Sequence, residues 1–349
     1  NKDIPLVLMN SFSTEEKSTE RLKKYPEIKT SLPFSFIQNK YPKVLKEDLT
    51  PAEHPENPEL EWNPPGHGDI YTALKTSGMM DKLIASGRKY CFVSNIDNLG
   101  ATLDTSILGY FAENQIPFLM EVAKRTEMDK KGGHLAQKKD GGYLLREIAQ
   151  TREEDVEKFQ DINRFSYFNT NSIWINLEHL KELMDKHNGM VPLPLIVNSK
   201  TLDPRDSASP EVYQLETAMG SAVTLFNNAD AIEIPRTRFK PVKKTNDLLL
   251  LRSDRYRINE KYELTESDDV TTPYTNVSLD SDYYKKIDML DKRFPYGAPS
   301  MVDCTSLKVK GDVEFGEYIK LQGDVEIVNT SDVTAKIENN KRLSGRVEL

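Results

Sequence analysis

The sequence predicts an α/β fold in which strands alternate with helices, followed by a smaller domain built around a short parallel β-helix. Three observations carry that expectation. Short apolar runs at 5–9, 89–93, 118–122, 172–175 and 195–197 end in polar loops, as buried strands do. Helical periodicity fills the intervals 13–24, 102–114 and 177–187, and such alternation argues for a largely parallel sheet. The tetrapeptide Gly311-Asp312-Val313-Glu314 returns as Gly323-Asp324-Val325-Glu326, with Val309, Ile319, Leu321 and Ile327 marking short strands. A regular offset of strands and Gly-Asp turns is the sign of stacked β coils, with a pair of ordinary hairpins as the competing reading.

A chain of 349 residues exceeds the roughly 250–300 residues at which one core stops growing, so two domains are expected. The apolar run 248–251 closes the first, the charged stretch 253–273 reads as a connector, and helical pattern resumes at 282–293. The expected division is therefore 1–254 and 255–349. Within the first domain, 47–66 turns to proline, with Pro51, Pro55, Pro58, Pro64 and Pro65, and reads as a surface excursion ending on a Gly-His-Gly turn.

Composition removes several classes of function. With 47 basic and 55 acidic residues the net charge is −8, which does not suit a nucleic-acid partner but leaves room for a small anion held by a few local cations. The two cysteines, Cys91 and Cys304, form neither a disulfide framework nor a metal motif. No apolar run approaches the ~18 residues of a membrane span, and the expected location is cytoplasmic. The chain opens almost directly on the strand pattern Ile4-Pro5-Leu6-Val7-Leu8-Met9, so a preceding segment is expected.

In α/β sheets ligands gather beyond the carboxyl ends of the strands, which directs attention to the loops at Asn10-Ser11, at 94–97 and at Lys124-Arg125. Asp97, in Ser94-Asn95-Ile96-Asp97-Asn98-Leu99-Gly100, is placed as Mg²⁺ requires, since that ion takes one or two carboxylates beside water and phosphate oxygens. An Asx turn or helix cap is the alternative role. The segment Pro64-Pro65-Gly66-His67-Gly68-Asp69 offers close backbone approach to a phosphate ahead of a helix, or else a proline-rich turn whose histidine caps that helix.

Arg236-Thr237-Arg238-Phe239-Lys240-Pro241-Val242-Lys243-Lys244 packs five cations into nine residues of an acidic chain. Such charge suits a pyrophosphate in transfer, with a solvated loop as the plainer reading. Gly132-Gly133-His134, Glu147 and Asn169-Thr170-Asn171 are polar positions beside strands, suited to sugar hydroxyls or to ordinary turns. No HExxH, CxxC, GxSxG or GxxxxGK[ST] occurs, so zinc, serine-hydrolase and P-loop chemistries have no warrant.

Taken in order, Leu6-Val7-Leu8-Met9-Asn10-Ser11, Pro64-Pro65-Gly66-His67-Gly68-Asp69, the stretch from Ser94 to Asp104, Phe168-Asn169-Thr170-Asn171 and Arg238-Phe239-Lys240-Pro241-Val242-Lys243 resemble the eukaryotic UDP-glucose pyrophosphorylases. The resemblance covers nearly the whole chain. It implies a Rossmann-like, glycosyltransferase-A-like nucleotidyltransferase domain with a mixed sheet, then a left-handed parallel β-helix. It also implies an enzyme that joins UTP and glucose 1-phosphate into UDP-glucose and pyrophosphate with Mg²⁺, by in-line attack and without a covalent intermediate. A broader UDP-sugar pyrophosphorylase and a non-catalytic nucleotide-sugar binding or assembly protein are the alternatives.

By the same resemblance Lys243 is the catalytic, phosphate-contacting lysine and Asp97 the metal and nucleotide ligand. Gln38 and Gly66 bind the nucleotide, His67 contacts phosphate, and Asn95, Gly132, Glu147, Asn169 and Phe239 bind substrate. The neighbours Gly133 and Asn171 compete with Gly132 and Asn169 by one register. The family's glycine-rich nucleotide loop has no counterpart ahead of residue 5, and an incomplete record of a longer protein is expected. The C-terminal domain permits homo-oligomers.

Overall fold

The computed structural model describes residues 4–126, 129–130 and 132–349, and these form two compact units. The first comprises 1–94 and 103–234, the second 95–102 and 235–349. The compact units therefore part twenty residues before the boundary expected from composition, and the short stretch 95–102 belongs with the second.

The first unit centres on a six-stranded sheet. Its longest strand, Tyr167–Asn176, pairs antiparallel with Phe118–Lys124 along one side. Its other side takes Tyr90–Val93 at one end and His134–Gln137 at the other, both antiparallel. Tyr143–Arg146 extends the sheet beyond His134–Gln137, and Asp230–Glu233 lies parallel to Phe118–Lys124. The sheet is thus mixed rather than largely parallel. Apolar periodicity reports which faces are buried and is silent on strand direction, so the long return strand could not be oriented from it. The opening strand Leu8–Asn10 pairs parallel with Ser35–Ile37 in a separate two-stranded sheet.

Helix Leu177–Lys186 shows why these residues form these elements. The Asn176 carboxamide accepts from the N–H of Glu178 and His179 at 3.0 and 3.4 Å and caps the start. Leu177, Leu180, Leu183 and Met184 then fall on one face and are buried. They join Tyr71, Met80, Phe118, Met120, Ile173 and Ile175 in one core, and truncating a side chain such as Leu180 to alanine should cost about 2–5 kcal/mol. Asp104 caps Thr105–Glu113 in the same way, through Ser106 and Ile107.

The second unit carries a four-stranded parallel sheet in the order Asn276–Leu279, Ser300–Lys310, Lys320–Val328, Arg342–Glu348, and a parallel pair, Val313–Phe315 with Ala335–Ile337. The two Gly-Asp-Val-Glu copies are not successive rungs. The first leads into Val313–Phe315, whose partner lies 22 residues on, whereas the second sits within Lys320–Val328, where Val325 pairs with Leu307. The aspartates accordingly differ: Asp312 takes a 2.7 Å ion pair from Arg293, Asp324 a 2.6 Å bond from Ser306. Glycine serves the same end in both, with φ of +81° at Gly311 and +63° at Gly323.

The stretch 253–273 is more ordered than a connector. It contains an antiparallel pair, Tyr256–Ile258 with Leu264–Glu266, pinned by Arg255, which is 1% exposed. That guanidinium donates to Glu266 Oε1 at 3.0 Å and to the hydroxyls of Thr272 and Thr275 at 2.9 Å. No helix among the described residues is long and apolar enough to cross a membrane.

Candidate functional site

In the first unit, Pro64-Pro65 leads into the turn His67–Asp69 and the helix Ile70–Thr76. Both glycines of the turn are required by close approach of the chain at Glu216 and Thr217. Gly66 has φ +78° and a methyl there would lie 2.7 Å from the Thr217 carbonyl oxygen. At Gly68 a methyl would lie 2.5 Å from Thr217 Oγ1. Hydrogen bonds lock the approach: Thr217 N–H donates to Pro65 O at 2.8 Å, and the buried Tyr71 hydroxyl to Met219 O at 2.7 Å.

His67 is oriented by the same contact. Its Nδ1 accepts from the Met219 N–H at 3.1 Å, so the neutral ring carries its proton on Nε2, the form that donates to a phosphate oxygen. Gln38 follows strand Ser35–Ile37, its N–H held by Asn10 O at 2.8 Å. Its Oε1 is buried without a hydrogen-bond partner among the described residues, a costly state for an acceptor unless a ligand supplies the donor.

The polar positions near the far end of the sheet also converge. The antiparallel register sets His134 opposite Arg146, which brings the preceding Gly133 against the following Glu147. A methyl on Gly133 would stand 2.5 Å from both carboxylate oxygens of Glu147, whereas one on Gly132 would meet only Asp129 O at 3.4 Å. The structure therefore sets Gly133, not Gly132, against Glu147. Asn169 accepts from the Asn171 N–H at 2.9 Å and donates from Nδ2 to Asn171 Oδ1 at 2.8 Å, at a bulge within the long strand where Asn171 takes φ +58°. That Nδ2 would lie 2.6 Å from a methyl on Gly220.

The element the sequence reading missed is the 3-10 helix Met219–Thr224, buried from Met219 to Val223. It is the meeting point of the two groups: Met219 receives His67 and Tyr71, and Gly220 receives Asn169. The small residues Ala218, Gly220, Ser221 and Ala222 around Met219 were the available signal.

Beneath the Gly133–Glu147 contact lies His134, fully buried, stacked on Phe165 at 4.1 Å with Phe159 at 4.4 Å. Its ring nitrogens each face a guanidinium at 3.5 Å, Arg125 and Arg146. Burial first, then these two cations, push its pKa down to about 3, so the ring is neutral at physiological pH. Arg125 in turn donates to the carbonyls of Lys130, Phe159 and Phe165 at 2.8, 3.1 and 3.1 Å.

In the second unit the main chain of 95–102 is stitched to 238–242. Val242 N–H donates to Asp97 O at 2.9 Å, Leu99 N–H to Lys240 O at 3.1 Å, and the buried Asn98 carboxamide accepts from Lys240 N–H at 2.8 Å and donates to Arg238 O at 3.2 Å. A methyl on Gly100 would lie 2.6 Å from the Arg238 carbonyl carbon. The unit thereby brings Asp97 and the Phe239-Lys240-Pro241-Val242-Lys243 stretch together, while the side chains of Asn95, Asp97 and Lys243 have no hydrogen-bond or ion-pair partner among the described residues. Lys243 is fixed at its backbone, whose N–H, with that of Lys244, donates to Asp247 Oδ2 at 2.9 Å. Phe239 lies under the Arg236 guanidinium at 5.9 Å.

No group of three or more histidine, cysteine or acidic side chains is placed to hold a metal ion among the described residues. A half-buried, unengaged carboxylate such as Asp97 nevertheless fits Mg²⁺, which keeps several waters and completes its shell with phosphate oxygens.

The profile of the family described as UTP–glucose-1-phosphate uridylyltransferase matches residues 1–322. The chain belongs to that family. The enzymes of that name from Hordeum vulgare and Saccharomyces cerevisiae are each 38% identical to it, over 99% of this chain and over 72% and 68% of their own lengths. A relative from Dictyostelium discoideum is 39% identical, and the chain spans 64% of its length. Among solved structures, a UDP-glucose pyrophosphorylase variant from Leishmania major in complex with UDP-glucose superposes with a TM-score of 0.89 at 45% identity, covering 99% of this chain and 75% of that one. The Trypanosoma brucei structure gives 0.89 at 44%, with the same coverage. These relatives cover 94–99% of the chain, and its α/β fold with sheets of mixed orientation is shared with the solved structures.

Proposed function

We propose that the protein transfers the uridylyl group of UTP to glucose 1-phosphate, giving UDP-glucose and pyrophosphate. The observation that carries the reading is the buried, unbonded Gln38 Oε1, an acceptor suited to the N3–H of uracil and tied through the adjacent Asn39 to the Gly66-His67-Gly68 turn. Gly66 lets the chain approach the nucleotide, and His67 donates from Nε2 to a phosphate oxygen. Glu147 and Asn169, backed by Gly133, pair with sugar hydroxyls, and Asn95 and Phe239 complete the substrate contacts. Lys243 offsets charge that builds on the phosphates during in-line attack at the α-phosphorus. Mg²⁺, held by Asp97, would add a second positive charge to the phosphate oxygens.

On this reading the catalytic portion extends through residue 254. The parallel sheets of the second unit are coils of a left-handed β-helix, whose edge strand Arg342–Glu348 offers a surface for association between copies. On the same reading the enzyme is cytoplasmic.

Pyrophosphate release from UTP and glucose 1-phosphate, measured with Mg²⁺ in the full-length natural protein, tests the reading. The expected result is Mg²⁺-dependent release that Lys243→Ala lowers by about 10²–10³-fold. Release with a different sugar phosphate and none with glucose 1-phosphate would redirect the assignment to a broader UDP-sugar enzyme. UDP-glucose binding without any turnover would leave a binding or assembly protein.

A further inference from the structure

Asp69 is 5% exposed, and no cation pairs with it among the described residues. Its stabilisers are neutral: the backbone N–H of Asn39 donates to Oδ2 at 2.7 Å, and the Asn39 carboxamide Nδ2 lies 3.0 Å from both oxygens. Burial raises its pKa above the ordinary carboxylate value, and the Asn39 bonds offset only part of that rise. The phenol of Tyr41 is the other titratable group that feels this charge, its own pKa raised by burial and by Asp69. Folding therefore holds a carboxylate in an unfavourable place. An asparagine would fit the space without the desolvation cost, so packing alone gives no reason for the charge.

The position of the bond supplies one. Asp69 closes the turn His67–Asp69, and Asn39 directly follows Gln38. Gln38 is then held on both sides, by Asn10 O at its own N–H and by Asp69 at the N–H of the next residue. Between these anchors its Oε1 is buried and unbonded. A single base-edge acceptor discriminates only if it cannot shift to meet a different edge, because rejection comes from leaving it unpaired.

We propose that Asp69 is a positioning residue that fixes Gln38 so that the site prefers uracil over cytosine. This rests on the reading of Gln38 given above. Cytosine has an unprotonated N3 and offers Oε1 no N–H at that position, so a rigid acceptor rejects it and a loosened one rotates to present its amide instead. Asn in place of Asp69 keeps the shape but loses one acceptor for the two Asn39 donors.

The test is the ratio of UDP-glucose to CDP-glucose affinity by calorimetry in the full-length natural protein, for wild type, Gln38→Ala, Asp69→Asn and Asn39→Ala. Gln38→Ala is expected to bring the ratio close to one. Asp69→Asn should lower it about five- to tenfold with little change in melting temperature, because relief of the buried charge offsets the lost acceptor. Asn39→Ala, which keeps the backbone bond, should shift the ratio in the same direction by less. A ratio that collapses in Gln38→Ala but stays at the wild-type value in both Asp69→Asn and Asn39→Ala overturns the positioning role and leaves the base contact standing. A ratio unmoved even by Gln38→Ala overturns the base contact and this proposal with it. If Asp69→Asn melts markedly lower, its role is structural and the proposal fails.

Discussion

The residues assigned to recognition and those assigned to charge are held in opposite ways. In the first unit Gly66, Gly68 and Gly133 are packed so closely that a methyl at any of them would enter a neighbouring atom, and His67 and Asn169 are fixed by hydrogen bonds to their side chains. In the second unit Asp97 and Lys243 are fixed by their main chains alone, through Val242 and Asp247, and their charged ends engage nothing among the described residues. Shape selection needs side chains that do not move. Neutralising a charge that appears only during reaction needs groups not already paired, since a prior ion pair would have to be broken first.

The contrast can be broken most sharply at Asp97. Asp97→Ala should lower the rate of pyrophosphate release by about 10²-fold or more and raise the Mg²⁺ concentration for half-maximal rate, with UDP-glucose binding in the absence of metal little changed. A loss of metal-free binding as large as the loss of rate would show that Asp97 belongs with the shape-selecting residues instead. Next in size is Gly133→Ala, expected to raise the KM for glucose 1-phosphate about tenfold or more, because its methyl displaces the Glu147 carboxylate. The neighbouring Gly132→Ala should change it less than about twofold, since its methyl makes only ordinary contact. Equal effects at the two positions would remove the geometric distinction between them.

The smallest effect concerns the buried histidine next to the Gly133–Glu147 contact. His134 is neutral in the folded protein with a pKa of about 3, while an unfolded histidine titrates near about 6.5. Between those values the unfolded state binds the extra proton, so stability falls as pH drops from about 6.5, with a slope approaching about 1.4 kcal/mol per pH unit from this group. Denaturant titrations at pH 7 and pH 5 should show a loss that His134→Phe makes smaller by up to about 2 kcal/mol. The kinetic pH profile near neutrality should not move, because the ring does not titrate there.

Much of this was legible in the sequence, and the exceptions share a cause. Helices at Glu15–Leu22, Thr105–Glu113 and Leu177–Lys186 lie where periodicity set them, because 3.6-residue patterning and caps are local. The Gly-His-Gly turn stood out because glycine spacing is local too. Strand direction, the partners of the Gly-Asp-Val-Glu copies and the choice of Gly133 depend on which strand returns beside which, and nothing within a few residues records that. The 3-10 helix Met219–Thr224 escaped notice because its contribution is made through backbone N–H and C=O groups and through a glycine's missing side chain. Lys243 is one of five cations in a nine-residue run, and only the order of motifs singled it out.

The stretch 95–102 has a consequence for dissection of the gene. The polypeptide passes from one compact unit to the other at 94/95, 102/103 and 234/235, so no single cut separates them. A polypeptide ending at residue 234 would keep 95–102 but lose Arg238, Lys240 and Val242, the partners of Asn98, Leu99 and Asp97. Exchanging C-terminal portions between relatives at that point would therefore also exchange the support of an acidic loop encoded more than a hundred codons upstream, and chimaeras should carry 95–102 and 235–244 from the same parent.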